Sequence, residues 1–255
     1  MLVIFLLVQI IFESLPVSSS GHTMLFSLSA PKLVDFVAHL FASGVFLCYL
    51  FLRRQEVFSW WLQAGRYHWK SYGSVLLAVW GATILALAAK MTINASVAPP
   101  LSMLGFGFLL TSIVLLSLYR RPLHPTRSMV KGVDLFWLSA AQVVAFFVPG
   151  ASRMGLVFAT ATWLGWSADA AWYWMIATAF PLFVGAGLLG ALSGGIALIT
   201  DVGGWTVWLL LLGAFGCSLL LFAGAAYLAR TNRFWFFGFY TLALALVAFA
   251  YQWLC

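Results

Sequence analysis

The stretch of sequence that decides the fold runs from Gln9 to His22 and reads QIIFESLPVSSSGH. It follows an apolar run and places a carboxylate, three consecutive hydroxyls and an imidazole in otherwise lipid-soluble sequence. A second cluster, PGASR at residues 149–153, interrupts another apolar stretch about half a chain later. Because ionisable groups at membrane depth are costly, we interpret both clusters as functional.

Composition indicates an integral membrane protein. Of the 255 residues, 64% are hydrophobic and 7% are charged, whereas soluble domains are roughly 25% charged. The net charge of +7 comes from thirteen basic and six acidic residues, and most of the basic ones lie between apolar runs. This distribution is typical of membrane topology signals, so we expect no nucleic-acid partner.

Six apolar runs are long enough to cross a bilayer, at about 20 residues per crossing. They span residues 34–52, 72–89, 101–119, 170–193, 205–228 and 234–254. Basic residues concentrate in the connections 53–70, 120–131 and 230–233, which predicts that these lie in the cytoplasm. The linkers near 94–100 and 194–204 carry few charges and should face outward.

The two polar clusters fall in segments too short to be full spans. Residues 1–15 and 133–148 each end at a proline, and each is followed by a second short apolar stretch, at 22–29 and 155–166. Two half-length helices joined by a polar tip predict a re-entrant hairpin that lines a protein cavity. We therefore predict an all-α polytopic fold in one membrane domain, 1–255. Residues 1–121 and 132–255 would form inverted repeats of one hairpin and three spans, with the tips meeting near the midplane.

These motifs resemble the undecaprenyl-diphosphate phosphatases of the bacitracin-resistance type. Gln9, Glu13 and residues 16–22 match the first signature of that family, and residues 149–153 match the P-G-x-S-R start of the second. Met154 and Val157 stand where the second signature has Ser and Thr. The resemblance covers nearly the whole chain. It implies hydrolysis of a polyprenyl diphosphate to the monophosphate, for carrier-lipid recycling in cell-envelope synthesis, in the bacterial plasma membrane with the site open to the outer side.

The residue chemistry points to the same activity. A lipid diphosphate needs fixed cations and N–H donors in a low-dielectric site. The Arg153 guanidinium offers a positive charge together with a planar set of N–H donors. Ser19 and His22 lie three residues apart and would share a helical face, so His22 could deprotonate a serine nucleophile or protonate the leaving phosphate. The predicted catalytic residues are Glu13, Ser19, His22 and Arg153. The predicted substrate-binding residues are Gln9, Ser18, Ser20, Gly21, Gly150 and Ser152.

Gln9 and Glu13, four residues apart, also share a face and could hold a divalent cation, Mg²⁺ or Ca²⁺, that bridges the diphosphate. Attack by a metal-bound water stays open beside attack by Ser19. Asp35 and His39 have the same spacing. We interpret Asp35 and His39 as polar residues that line the mouth of the cavity. The alternative, a pair that contacts and orients the site residues, is less favoured. The G-x-x-x-G at residues 190–194 is more typical of close packing but leaves a homodimer open.

Two other functions were weighed against hydrolysis. The first is a carrier that moves a lipid phosphate across the bilayer on the same scaffold, and Met154 and Val157 favour it. The second is a type-2 phosphatidic acid phosphatase, suggested by the triplet Ser20-Gly21-His22 and the pair Ser152-Arg153. That family requires a basic motif upstream and a histidine six residues after the arginine, where this chain has Ala159. This second alternative is therefore rejected.

Overall fold

The computed structural model describes residues 2–26, 32–92, 101–121 and 131–254, and in these ranges the chain is helical with no β-strand. The helices are α1 (Leu2–Glu13), α2 (Ser19–Leu25), α3 (Lys32–Leu52), α4 (Arg54–Thr92), α5 (Leu101–Ser117), α6 (Gly132–Phe147), α7 (Arg153–Trp163), α8 (Ala168–Gly190), α9 (Ile196–Arg230) and α10 (Phe236–Leu254). A 3-10 turn (Leu118–Arg120) extends α5, and a π-helical segment (Ala191–Gly195) joins α8 to α9. The all-helical prediction is confirmed for this part of the chain.

Five helical segments in the described ranges are long and apolar enough to cross a membrane. They are Val34–Leu52, Leu101–Arg120, Ala168–Asp201, Gly204–Arg230 and Phe236–Trp253. Each coincides with a predicted span. The sixth predicted span, at 72–89, falls inside α4, and the apolar stretch described there is Gly73–Ala86. The predicted connections at 94–100 and 122–130, and the end of the first hairpin at 27–29, lie outside the described residues.

Both polar clusters form the turn of a pair of short helices that pack on each other. The turn between α1 and α2 and the turn between α6 and α7 each lead into a helix capped by a serine. The Ser18 hydroxyl accepts from the Gly21 N–H at 3.3 Å, and the Ser152 hydroxyl accepts from the Gly155 N–H at 3.1 Å. Such caps satisfy backbone donors that a helix start leaves free. The polar tips therefore end one helix and start the next.

Four helix pairings enclose these two short hairpins. Helix α3 packs on α8 and α5 packs on α10, while α1 packs on α9 and α4 packs on α6. The core between them is aromatic, with Trp172, Phe222 and Phe234 almost entirely buried. The hairpin tips are thus held inside the helical assembly by elements from both halves of the chain.

Helix α8 contains Pro181 and continues through it. Proline has no N–H, so the carbonyl of Ala177, one turn earlier, loses its usual helical partner. The indole Nε1–H of Trp80, on α4, donates to that carbonyl at 3.1 Å. A neighbouring helix thereby satisfies the group that proline frees, as membrane helices require.

The second glycine of the G-x-x-x-G at residues 190–194 is explained by its backbone conformation. Gly194 has φ +97°, a left-handed conformation that L side chains rarely adopt, and it lies in the π-helical segment. A Cβ at this position would meet no atom within 4 Å. Gly194 is therefore required by backbone geometry where the two helices join, and the homodimer stays a prediction.

Candidate functional site

The centre of the first tip is the carboxylate of Glu13, the last residue of α1. The Gln9 amide Nε2–H donates to Glu13 Oε2 at 2.8 Å, and the Ser19 hydroxyl donates to the same oxygen. The Glu13 side chain is about 10% exposed. The spacing of four residues explains the Gln9 contact, whereas the Ser19 contact depends on the turn bringing α2 back against the end of α1.

A histidine from the first long apolar helix faces the other oxygen of this carboxylate. His39 Nε2 lies 3.7 Å from Glu13 Oε1, and His39 Nδ1–H donates to the Asp35 carbonyl oxygen at 2.9 Å. Because a carbonyl only accepts, Nδ1 must carry a hydrogen. His39 therefore forms an ion pair with Glu13 when Nε2 is protonated as well. His39 belongs to the site directly and is more than the cavity lining that its spacing predicted.

Arg153 begins α7 at the second tip. Its Nε atom is buried and has no hydrogen-bond partner among the described residues. The guanidinium carbon lies 5.9 Å from the ring centroid of Phe146 and 5.8 Å from that of Phe183. The Phe183 ring also contacts the His39 imidazole edge-on, with centroids 5.2 Å apart. Phe183 thus links the cation of the second tip to the Glu13–His39 pair of the first.

His22 is fully buried and is held on every side by groups other than Ser19. Its Nδ1–H donates to the Ser18 carbonyl at 2.8 Å, which leaves Nε2 to accept from the Tyr240 hydroxyl at 2.7 Å. Its ring stacks on Phe12 with centroids 4.2 Å apart. Both nitrogens of a neutral imidazole are therefore in use. The predicted contact between His22 and Ser19 is replaced by the contact between Ser19 and Glu13.

The two tips touch each other and share a wall formed by α5. A Cβ on Gly155 would lie 3.0 Å from the Pro16 carbonyl oxygen, so the hairpins meet at their turns. A Cβ on Gly107 of α5 would lie 1.8 Å from the Pro149 carbonyl oxygen. The Thr111 hydroxyl accepts from the Ser152 backbone N–H at 2.9 Å. Only glycine at position 107 allows the second tip to approach α5 this closely.

The remaining predicted substrate-binding residues lie around these contacts. Ser18, with φ 63°, and Gly150, with φ +84°, occupy the left-handed region at their respective tips. Ser152 and Gly21 are buried, Gly21 against Phe108, where a Cβ would lie 2.6 Å from the ring. Ser20 is exposed, and its carbonyl accepts from the Thr23 hydroxyl at 3.0 Å. Ser18 and Ser152 cap their own helices, so their hydroxyls serve the backbone in this structure.

The donor set at Glu13 fits a hard divalent cation. The Gln9 Oε1 atom is buried and lacks a hydrogen-bond partner in the described structure, although its Nε2 is paired. An unpaired amide oxygen beside a carboxylate is the kind of oxygen pair that Mg²⁺ and Ca²⁺ bind. The described ranges contain no group of three or more His, Cys, Asp or Glu side chains with metal-ligand geometry. Any cation would therefore complete its coordination with substrate oxygens and water.

Two residues that contact the tips did not emerge from the sequence patterns. Tyr240 bonds to His22, and Phe183 contacts His39 and Arg153, each from a distant helix. Local spacing contains no signal for such contacts.

A separate cavity of about 230 Å³ lies away from these tips. It is bounded by Arg121, Trp166, Asp169, Arg230 and Phe234 among others, and none of Glu13, Ser19 or His22 lines it. Arg230 is paired there with Asp169 at 2.8 Å. This cavity is therefore distinct from the polar cluster at the hairpin tips.

The fold and the polar tips define a class: helical proteins with several membrane-spanning helices, in which two hairpin turns bring ionisable groups together between the helices. Comparison with known proteins identifies the family. The model of the family described as bacitracin resistance protein BacA matches residues 2–247. The chain therefore belongs to the BacA family, the family of the undecaprenyl-diphosphate phosphatases.

Curated proteins named undecaprenyl-diphosphatase are similar to this chain at low sequence identity. An undecaprenyl-diphosphatase of Thermotoga petrophila is 24% identical over 250 residues, which cover 95% of this chain and 96% of the relative. The undecaprenyl-diphosphatase 2 of Stutzerimonas stutzeri is 28% identical over 251 residues, covering 89% and 85%. An undecaprenyl-diphosphatase of Thermosipho melanesiensis is 26% identical over 187 residues, covering 72% and 74%.

Proposed function

We propose that this protein hydrolyses undecaprenyl diphosphate to undecaprenyl monophosphate and inorganic phosphate, and so recycles the carrier lipid of cell-envelope synthesis. The observation that carries the proposal is the hydrogen bond from the Ser19 hydroxyl to the Glu13 carboxylate. The same cluster holds Arg153, whose Nε atom is buried without a hydrogen-bond partner among the described residues. A serine paired with a partly buried base is the arrangement that activates a hydroxyl nucleophile. Family membership supports the choice of substrate.

The reaction follows from these contacts. Glu13 accepts the Ser19 proton as the serine oxygen attacks the terminal phosphorus, and the P–O bond to the bridging oxygen breaks. The polyprenyl monophosphate leaves with the electron pair of that bond. Water then attacks the phosphoserine, Glu13 returns the proton to Ser19 Oγ, and inorganic phosphate departs. Throughout, the Arg153 guanidinium donates to non-bridging oxygens where negative charge develops.

Gln9 and Glu13 are the residues that would hold a divalent cation. When bound, such a cation neutralises charge on the diphosphate and orients it. We predicted that His22 transfers a proton to or from the reacting groups, and this role stays a prediction. Its contacts support a role in holding α2 against α10, and the effect of His22→Asn on turnover by folded protein separates the two roles.

A chelator experiment tests the activity and the cation together. Purified protein in detergent is given a polyprenyl diphosphate, and released phosphate is measured with and without EDTA. We expect release that falls with chelator and recovers with added Mg²⁺ or Ca²⁺. Absence of phosphate release with both cations present would contradict the proposed function. Full activity in EDTA would contradict the metal site while leaving hydrolysis intact.

A lipid-phosphate carrier is the second candidate, and one observation favours it. Met154 and Val157, which replace hydroxyl residues of the family signature, are buried in the apolar core beside the second tip. The second hairpin therefore offers fewer polar groups to a phosphoryl group than an intact signature would. Movement of a fluorescent polyprenyl phosphate across vesicles, without phosphate release from the diphosphate, would select the carrier over the hydrolase.

We further propose that residues 1–121 and 132–255 are inverted repeats with six crossings and two re-entrant hairpins. The helix pairings support this proposal. Exchanging α1–α5 with α6–α10 maps the α1–α9 pair onto the α6–α4 pair, and it maps the α3–α8 and α5–α10 pairs onto themselves. A two-fold axis in the membrane plane produces this exchange.

Cysteine labelling tests the topology and the predicted orientation in the plasma membrane. In a background without native thiols, cysteines at Ser20 and Ala151 should react with an impermeant maleimide from outside, and bound diphosphate should protect them. A cysteine at Arg127 should react only from the cytoplasmic side. Labelling at position 127 from outside, or no protection at either tip, would contradict the inverted repeat.

A further inference from the structure

The two hairpins correspond residue by residue on their first helices. Gln9 precedes Pro16 by seven residues and Gln142 precedes Pro149 by seven. One helical turn after each glutamine stands Glu13 in the first hairpin and Phe146 in the second. Gln142 therefore occupies in the second hairpin the place of Gln9 in the first, but without a carboxylate one turn away.

The Gln142 amide is fully buried and is unpaired among the residues that the structure describes. Gln142 is 0% exposed, and neither its Nε2 nor its Oε1 has a hydrogen-bond partner within the described part of the chain. The equivalent Nε2 of Gln9 donates to Glu13 at 2.8 Å. A buried polar group left unpaired is strongly unfavourable, and native proteins nearly always satisfy such groups. The vacant amide of Gln142 therefore indicates a bound polar partner.

The neighbouring cation indicates the chemistry of that partner. Gln142 and Phe146 are four residues apart on α6 and share a face of the helix. The Arg153 guanidinium lies over the ring of Phe146 at 5.9 Å, and its Nε atom is likewise buried and unpaired. An amide and a guanidinium on this side of the hairpin both present N–H groups that need an acceptor. An anionic oxygen satisfies both.

We propose that Gln142 binds the lipid diphosphate by donating its Nε2–H to a non-bridging phosphoryl oxygen beside Arg153. The assignment rests on the proposed function. In this assignment the two hairpins offer different polar groups. The first supplies oxygen acceptors from Glu13 and Gln9, and the second supplies N–H donors from Arg153 and Gln142. Gln142 is accordingly a substrate-binding residue. Its amide can bind substrate because Phe146 stands where the first hairpin has the carboxylate of Glu13.

The test uses a farnesyl methylenediphosphonate, a diphosphate analogue that cannot be hydrolysed, and measures its Kd for purified full-length protein. Gln142→Met keeps the side-chain volume and removes the amide. We expect binding about 10- to 100-fold weaker, as loss of a hydrogen bond to a charged group predicts. We expect a Tm equal to or above that of the wild type, because an unpaired buried amide is gone. Gln142→Glu, which is isosteric but repels an anion, should weaken binding at least as much and serves if the Met variant does not fold.

The control is Ser112→Ala on α5, which removes a buried hydroxyl that, like the Gln142 amide, has no hydrogen-bond partner in the described ranges. It should leave Kd unchanged. Wild-type binding together with an unchanged Kd in Gln142→Met would overturn the assignment and would show that water or packing satisfies the amide. Wild-type protein that neither binds the analogue nor releases phosphate from the diphosphate would instead overturn the proposed function. The two failures are therefore distinguishable.

Discussion

The Ser19 hydroxyl donates a hydrogen bond to the Glu13 carboxylate across the turn of the first hairpin. Glu13 ends α1 and Ser19 begins α2, so the turn at Pro16 places a hydroxyl and a base side by side. The Gln9 amide donates to the same carboxylate oxygen and orients it. This short segment thereby brings a hydroxyl, a carboxylate and an amide into contact, which is the arrangement expected of an activated hydroxyl.

Replacing Ser19 by alanine should abolish turnover. If the serine oxygen attacks phosphorus, Ser19→Ala should lower the rate of phosphate release at least about 100-fold, whereas direct attack by water would leave substantial activity. Ser14→Ala is the matched control, because the Ser14 hydroxyl lies in the same turn but bonds to Ser218 at 2.5 Å. It should cost stability and leave kcat nearly unchanged. Retention of most activity in Ser19→Ala would remove the serine from the mechanism.

Replacing Tyr240 by phenylalanine should destabilise the protein through His22. The substitution leaves the buried Nε2 of His22 without its donor, at a cost of about 1–3 kcal/mol. Urea or thermal unfolding in detergent measures this loss, and kcat of the folded fraction is measured beside it. A Tm equal to that of the wild type would show that the hydrogen bond contributes nothing. Tyr227→Phe, at an exposed position of α9, is the control.

Adding a methyl group at Gly107 should displace the second tip. The new Cβ would lie 1.8 Å from the Pro149 carbonyl oxygen, which is backbone and cannot rotate away. Overpacking of this kind costs about 1–3 kcal/mol, and the shift of Arg153 should also lower kcat. Gly213→Ala on α9, where a Cβ meets nothing within 4 Å, should be neutral or slightly stabilising. Equal stability and activity in the two variants would contradict the close approach of α5 to the tip.

An ion-pair network ties the α3–α4 corner to the end of α9. Glu56 accepts from Arg53 at 2.5 Å and from Arg230 at 2.6 Å. Desolvation raises the pKa of Glu56, but the hydrogen bonds and charges of Arg230 and Arg53 together outweigh it, so that the pKa is lowered from its ordinary value. The network therefore stabilises the fold fully above the ordinary pKa of a glutamate, about 4.3. It loses this contribution as pH falls through the lowered pKa of the folded state.

The Tm difference between wild type and Glu56→Gln measures that contribution. We expect a small positive difference at pH 7 that shrinks as the pH is lowered below 4, and that also shrinks in high salt because the groups are partly exposed. A difference that grows on acidification would contradict the direction of the pKa shift.

Local spacing predicted the contact between Gln9 and Glu13, since residues four apart share a helical face. The same rule puts Ser19 and His22 on one face of α2, but it does not give their hydrogen-bond partners, because Ser19 bonds to Glu13 across the hairpin and His22 bonds to Tyr240, 218 residues away. Contacts of that range depend on how helices pack. No sequence pattern predicts the role of Phe183 for the same reason, although its ring contacts both His39 and Arg153.

The length of apolar runs was a better guide to the fold. Five predicted spans coincide with long apolar helices. The run at 72–89 lies within α4, which extends continuously from Arg54 to Thr92, so apolar length did not give the ends of that helix. Apolar length identifies the part of a helix that lipid accepts, but helix ends are set by backbone hydrogen bonds and caps.

We propose that Glu13 of the first tip and Arg153 of the second act on one phosphoryl group. The most direct measurement is the single-turnover rate of phosphate release for wild type, Glu13→Gln, Arg153→Ala and the double variant, each shown to be folded. Each single substitution should lower the rate by about 10²- to 10³-fold. The double variant should be about as slow as the slower single one, because residues that act as a unit are not additive. Unchanged turnover in either single variant, or losses that multiply in the double variant, would contradict convergence on one phosphate site.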